Sequence, residues 1–182
     1  MWIIAFSGLP QTGKTTLARR LADYLQCKFV SFGDFVRNEA RKAGIPNPIR
    51  KDLQDIGQRL VEADVIAFCR AVLQTVSFSP GEQIVIDGVR HIEALQAISS
   101  VSPGQAIKLI YLFAPLEIRT ARCTPDAIDS ELAAIDSHEV ESQTECELRD
   151  LADVVIDASA NVDITFHHLV AWLRHEDMSD SF

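Results

Sequence analysis

Residues 8–15, GLPQTGKT, constrain this chain more than any other segment. They fit the pattern G-x-x-x-x-G-K-[ST]. An apolar run, residues 2–6, precedes them, and Leu17, Ala18, Leu21, Ala22 and Leu25 recur behind them at helical spacing. A strand that runs into a glycine-rich turn, with a helix starting from that turn, makes a cradle for phosphate. Gly8 and Gly13 let backbone N–H groups approach an anion without Cβ clashes, and the helix directs its positive N-terminus at it. Lys14 supplies a point charge between β- and γ-phosphates, and Thr15 offers a hydroxyl to Mg²⁺. The implied ligand is MgATP or another nucleoside triphosphate, held by Gly8, Leu9, Pro10, Gln11, Thr12, Gly13, Lys14, Thr15 and Thr16. The alternative is a glycine turn that caps an ordinary helix.

Four more short apolar runs, residues 29–32, 84–86, 109–113 and 154–156, alternate with segments of helical period. This alternation predicts an α/β fold with a mainly parallel sheet covered by helices. A chain of 182 residues fits one compact domain with room for an insertion. The insertion falls at about residues 35–80. It is marked by the break GIPNP at 44–48 and by the helical recurrence of Leu53, Ile56, Leu60, Val61, Val65, Phe68 and Val72. A second excursion runs over about 119–149, where Thr124 is placed to cap a helix starting at Pro125. The domain spans 1–174, and the polar residues 175–182 read as a frayed tail.

Charge divides the chain. Residues 1–122 carry 15 Lys and Arg against 11 Asp and Glu, whereas residues 123–182 carry 2 against 15. Anionic ligands are therefore expected on the first two thirds. The overall charge of −9 argues against a protein that coats nucleic acid. Cys27, Cys69, Cys123 and Cys146 are too dispersed for a zinc site or disulfide frame, and no apolar run has the length of a membrane span, so a cytoplasmic protein is expected.

Asp87 ends the third apolar run, where a carboxylate can hold Mg²⁺ or its water, although strand-end Asp also commonly caps a turn. SFGDFVR at 31–37 and DGVR at 87–90 each set an Asp and an Arg three residues apart after a strand. Asp34 and Asp87 can approach a metal or an attacking group. Arg37 and Arg90 can fork onto a second phosphate, or else form plain surface ion pairs.

At these residues the chain resembles the nucleoside monophosphate kinases, including adenylate kinase and its dephospho-CoA kinase-like relatives. The matching positions are Gly33, Asp34 and Arg37, then Asp87, Gly88 and Arg90. The resemblance implies a P-loop NTPase fold with a five-stranded parallel sheet, the insertion as an acceptor-binding domain, and residues 119–149 as a short lid. It implies transfer of the γ-phosphoryl of MgATP to a nucleoside monophosphate, with Lys14, Asp34, Arg90, Arg119 and Arg122 as catalytic residues. Arg37, Arg90 and Asp34 would hold the acceptor, and Thr15 and Asp87 the metal. Arg119 and Arg122, one helical turn apart, would reach the migrating phosphoryl from the lid base, unless they face solvent.

The departure from the family lies beyond Arg122, where residues 123–148 contain no Lys or Arg and eight acids. An acidic lid leaves Arg119, Arg122 and Arg149 to neutralise the triphosphate. It also keeps open a weakly catalytic nucleotide sensor that docks a protein partner through residues 126–147. A dephospho-CoA-like acceptor, with Asp34 as base for a hydroxyl, and a simple NTP hydrolase are the other readings. His138 with Glu139 and Glu141 could suggest a metal site, but a solvated helical face is the plainer reading.

Overall fold

The computed structural model describes residues 1–123 and 147–179. In chain order the elements are β1 (Ile3–Ser7), α1 (Lys14–Leu25), β2 (Lys28–Ser31), α2 (Phe32–Lys42), α3 (Arg50–Gln74), β3 (Ile84–Asp87), α4 (Ile92–Val101), β4 (Ile107–Phe113), α5 (Leu116–Ala121), β5 (Val154–Asp157) and α6 (Val162–Ser179). The strands form one parallel sheet in the order β2-β3-β1-β4-β5.

The apolar runs of β1, β3 and β4 lie in the middle of the sheet, covered on both faces, whereas edge strand β5 leaves Val155 and Asp157 exposed. Alternate residues of β1 show how: Ile3 and Ala5 enter the core on the side of α2, α3 and α4, while Ile4 and Phe6 enter the one beneath α1 and α6. Central β1 pairs with β3 on one side, Phe6 opposite Asp87, and with β4 on the other, Ser7 opposite Tyr111. The chain leaves β1 toward β2 and β3, then crosses to β4 and β5. A crevice therefore opens at the carboxyl end of β1, the place where such sheets bind ligands.

Three boundaries differ from expectation. Phe32, read as the end of a strand, starts α2, because the Ser31 hydroxyl caps that helix by accepting from the Asp34 N–H at 3.3 Å. The long helical pattern from Ile49 breaks at Asp64, whose backbone is extended (ψ 95°). The Asp64 carboxylate accepts from the Ala67 N–H at 2.9 Å and so caps the second half. Finally, α6 continues to Ser179, past His175 where fraying was expected. The Thr124–Pro125 helix start, the His138 cluster and the acids of 126–145 lie outside the described residues.

One backbone approach is exceptionally tight. Gly8 has φ +131°, and a Cβ built on it would lie 2.2 Å from the carbonyl oxygen of Leu112 in β4. At Gly13, with φ +92°, a Cβ would meet nothing within 4 Å. Gly8→Ala is therefore expected to cost about 3 kcal/mol or more and Gly13→Ala only about 1–2 kcal/mol, the left-handed penalty alone. Urea unfolding of the two variants measures the difference; equal losses would contradict the contact.

Candidate functional site

The loop between β1 and α1 turns through three positive-φ residues, Gly8, Gln11 and Gly13. Its own side chains hold it closed. The Thr12 hydroxyl donates to the Leu9 carbonyl at 2.9 Å, and the Lys14 ammonium, only 8% exposed, donates to the same carbonyl and to Thr12 Oγ1 at 3.3 Å. No acidic residue lies in the first turn of α1, so nothing in that turn offsets the positive end of its dipole.

Asp87, at the end of β3, is 3% exposed and accepts through Oδ2 from Thr15 Oγ1 at 2.7 Å and from Ser31 Oγ at 3.3 Å. Its other oxygen, Oδ1, is buried without a hydrogen-bond partner among the described residues. An orphaned carboxylate oxygen beside a threonine hydroxyl fits a hard cation such as Mg²⁺, which takes oxygen ligands and keeps water and phosphate in the remaining positions. Among the described residues no three His, Cys, Asp or Glu side chains cluster as an all-protein metal cage.

On the far side of Asp87, Asp34 accepts from Arg37 Nη1 at 2.6 Å and from Arg19 Nη2 at 2.9 Å. Arg37 thus forms a local ion pair, but it also lines a cleft together with Arg50, Arg90, Gln54 and His91. Phe32, Val36, Leu53, Phe68, Val89 and Ala94 make the apolar walls. Arg37 and Arg90, far apart in the chain, therefore line one cleft. Arg19, Arg50, Gln54 and His91 were not singled out from the sequence. Arg19 had a weak signal, because it falls one helical turn beyond Thr15, whereas its partner is brought close only by the β2–α2 turn. Cys69, beside Phe68, is fully buried, and burial pushes its thiol up to about 12, so it packs as an apolar residue rather than acting as a nucleophile.

The two arginines of α5 behave differently from each other. Arg119 is 3% exposed, with Nη1 3.5 Å from the Pro10 carbonyl, so it faces the phosphate loop rather than solvent. Arg122 is exposed, yet its guanidinium donates to the carbonyls of Thr12 at 3.2 Å, Ala158 at 2.6 Å and Ala160 at 3.2 Å. It ties the phosphate loop to the segment after β5. Beside this clamp lies a second cleft, lined by Thr12, Gly13, Thr16, Asn161 and Thr165 among others. Arg149 packs over the Phe113 ring, 5.0 Å from its centroid.

This parallel sheet, with a phosphate loop at its central crevice and an arginine-lined cleft alongside, defines a P-loop protein of the nucleoside monophosphate kinase-like type. The chain belongs to the AAA domain family, whose model matches residues 7–141. It is 31% identical over 137 residues to a UPF0200 protein of Methanosarcina acetivorans, covering 75% of this chain and 72% of that one, and it belongs with those proteins. It is also 37% identical over 121 residues to a cytidylate kinase of Desulfurococcus amylolyticus, covering 65% of this chain and 57% of the other. In fold it is similar to a shikimate kinase from Acinetobacter baumannii solved with shikimate, with a TM-score of 0.64, 16% identity and coverage of 96% and 94%. Among the described residues no helix is long and apolar enough to cross a membrane.

Burial separates the two α5 arginines experimentally. Without any ligand, Arg119→Ala is expected to lower stability by about 2–3 kcal/mol, because it empties a buried site and strands its partners, and Arg122→Ala by about 1 kcal/mol. Urea unfolding checks both; two losses below about 0.5 kcal/mol would leave neither arginine a structural role at the loop.

Proposed function

We propose that this protein transfers the γ-phosphoryl of MgATP to a nucleoside monophosphate. The observation that carries this reading is the cleft beside the phosphate loop, where Arg37, Arg50 and Arg90 share one hollow with Phe32 and Phe68. Arginines suit an acceptor's phosphate and aromatic walls suit a flat ring. The cytidylate kinase relative supports the same acceptor class.

In this reading residues 1–174 form one kinase-like domain, and α2 and α3 receive the acceptor. Backbone N–H groups of residues 8–16, Pro10 excepted, and the Lys14 ammonium hold the β- and γ-phosphates. Thr15 Oγ1 and the Asp87 carboxylate would hold Mg²⁺, which, when bound with the nucleotide, offsets the charge of the polyphosphate. Arg37 and Arg90 orient the acceptor's phosphate for in-line attack by one of its oxygens. Asp34, already engaged by Arg19 and Arg37, sets the direction of those guanidinium groups rather than taking a proton. Arg119, against the loop carbonyl of Pro10, brings positive charge to the migrating phosphoryl, and Arg122 keeps the loop in register with the segment after β5. Positioning and charge neutralisation suffice for this chemistry, so no side-chain nucleophile is required. The substrates are small nucleotides, without direct nucleic-acid binding.

Incubation with MgATP and a panel of ribo- and deoxynucleoside monophosphates, dephospho-CoA and shikimate, read by product mass, tests the acceptor class. A nucleoside diphosphate product is expected; phosphorylation of shikimate or dephospho-CoA alone would reassign it. Lys14→Ala is expected to remove the roughly 2.7 kcal/mol of thermal stabilisation that wild type gains at MgATP a hundredfold above its Kd. Arg37→Ala or Arg90→Ala should lower kcat/KM for the acceptor by about thirtyfold to a thousandfold, equivalent to about 2–4 kcal/mol, with MgATP affinity kept. Unchanged acceptor kinetics in both would leave these arginines as ion pairs.

A further inference from the structure

Gly57 lies in the interior of α3, where glycine is the least favourable residue other than proline. Neither conformation nor packing requires it. It is not among the glycines with positive φ, and a Cβ at this position would have Val36 Cγ2, 3.9 Å away, as its one neighbour within 4 Å. That is ordinary van der Waals contact, so alanine would fit within the protein itself. What distinguishes the position is its place on the cleft: Gly57 and Val36 both line it.

One turn earlier on the same helix face is Gln54, which is 8% exposed and lines the same cleft. Long amides are seldom buried, and this one shares the cleft wall with Leu53 and Phe68 as well as with Arg37, Arg50, Arg90 and His91. Binding sites commonly have this composition, a mostly apolar hollow with a few convergent polar groups that set orientation. A carboxamide presents a donor and an acceptor side by side, which matches a heterocycle carrying the complementary pair on adjacent atoms.

We infer that Gly57 and Gln54 determine which acceptor this protein takes. The missing side chain at 57 leaves room for a planar ring to lie against α3, and Gln54 reads the polar edge of that ring. The acceptor is then a heterocycle with a donor and an acceptor on adjacent edge atoms, joined to a phosphate that reaches Arg37 and Arg90. This assignment rests on the reading of the cleft as the acceptor site.

Gly57→Ala, Gly57→Val and Gln54→Leu, made in the full chain, test it by calorimetric binding of CMP, UMP, AMP and GMP, with MgATP as control and urea unfolding as the measure of folding. Wild type should bind at least one monophosphate. Gly57→Ala should resist urea as well as wild type or better, yet bind that monophosphate several-fold more weakly, and Gly57→Val about tenfold or more weakly. Gln54→Leu should cost the preferred base its lead over the others by about tenfold. MgATP affinity should stay within about twofold throughout. Wild-type monophosphate affinities in both Gly57 variants would overturn the inference, as would a parallel loss of MgATP binding, which marks a structural glycine. If either occurs while wild type still phosphorylates a monophosphate, the acceptor reading survives alone. A wild type that binds none of the four overturns both.

Discussion

Everything at the centre of this molecule depends on how closely the backbone of Gly8 passes the carbonyl of Leu112. A methyl group there would lie 2.2 Å from that oxygen, so the chain leaving β1 can hug β4 only because the residue is glycine. That contact sets the phosphate loop directly over the crevice where the chain switches from β3 to β4 as neighbour of β1. The loop's internal bonds, from Thr12 and Lys14 to the Leu9 carbonyl, then hold its shape without a ligand. Arg119 and Arg122 bear on the loop from α5, through the carbonyls of Pro10 and Thr12.

Asp87 is the second node. Oδ2 receives the hydroxyl of Thr15 from α1 and that of Ser31 from the end of β2, and Ser31 in turn caps α2 through the Asp34 N–H. Three elements are thereby tied at one carboxylate: the helix behind the phosphate loop, strand β3, and the helix bearing Asp34 and Arg37. Donor and acceptor sides share a hydrogen-bonded hinge point, so a change in the ligation of Asp87 is felt directly at the cap of α2. Oδ1, buried without a hydrogen-bond partner among the described residues, is the remaining acceptor of this node.

The arginines show how a chain of net charge −9 can still present a cationic site. Arg37, Arg50 and Arg90 converge on one cleft, and Arg19 joins them through the shared partner Asp34. Clustered charge of one sign beside apolar walls raises the local attraction for phosphate well beyond what the average surface provides.

The amino-acid sequence by itself determined the sheet and the phosphate loop, because both arise from local chemistry. Apolar runs long enough for strands, helical spacing between them, and glycines, lysine and threonine at fixed offsets are properties of neighbouring residues. Asp87, Arg37 and Arg90 were legible for the same reason, each standing in a short motif at a strand end. Tertiary structure alone decided the rest. Arg19 reaches Asp34, Arg122 clasps carbonyls of residues 12, 158 and 160, and Arg50, Gln54 and His91 join the cleft wall only once α3 and α4 have packed together. No periodicity or spacing encodes those meetings. The break at Asp64 belongs with them, since an apolar pattern running on through Val65 and Phe68 hid a backbone turn that only the folded chain reveals. Contacts of this kind depend on where whole elements come to rest, and that is settled by burial across the entire core rather than by any stretch of chain a reader can inspect alone.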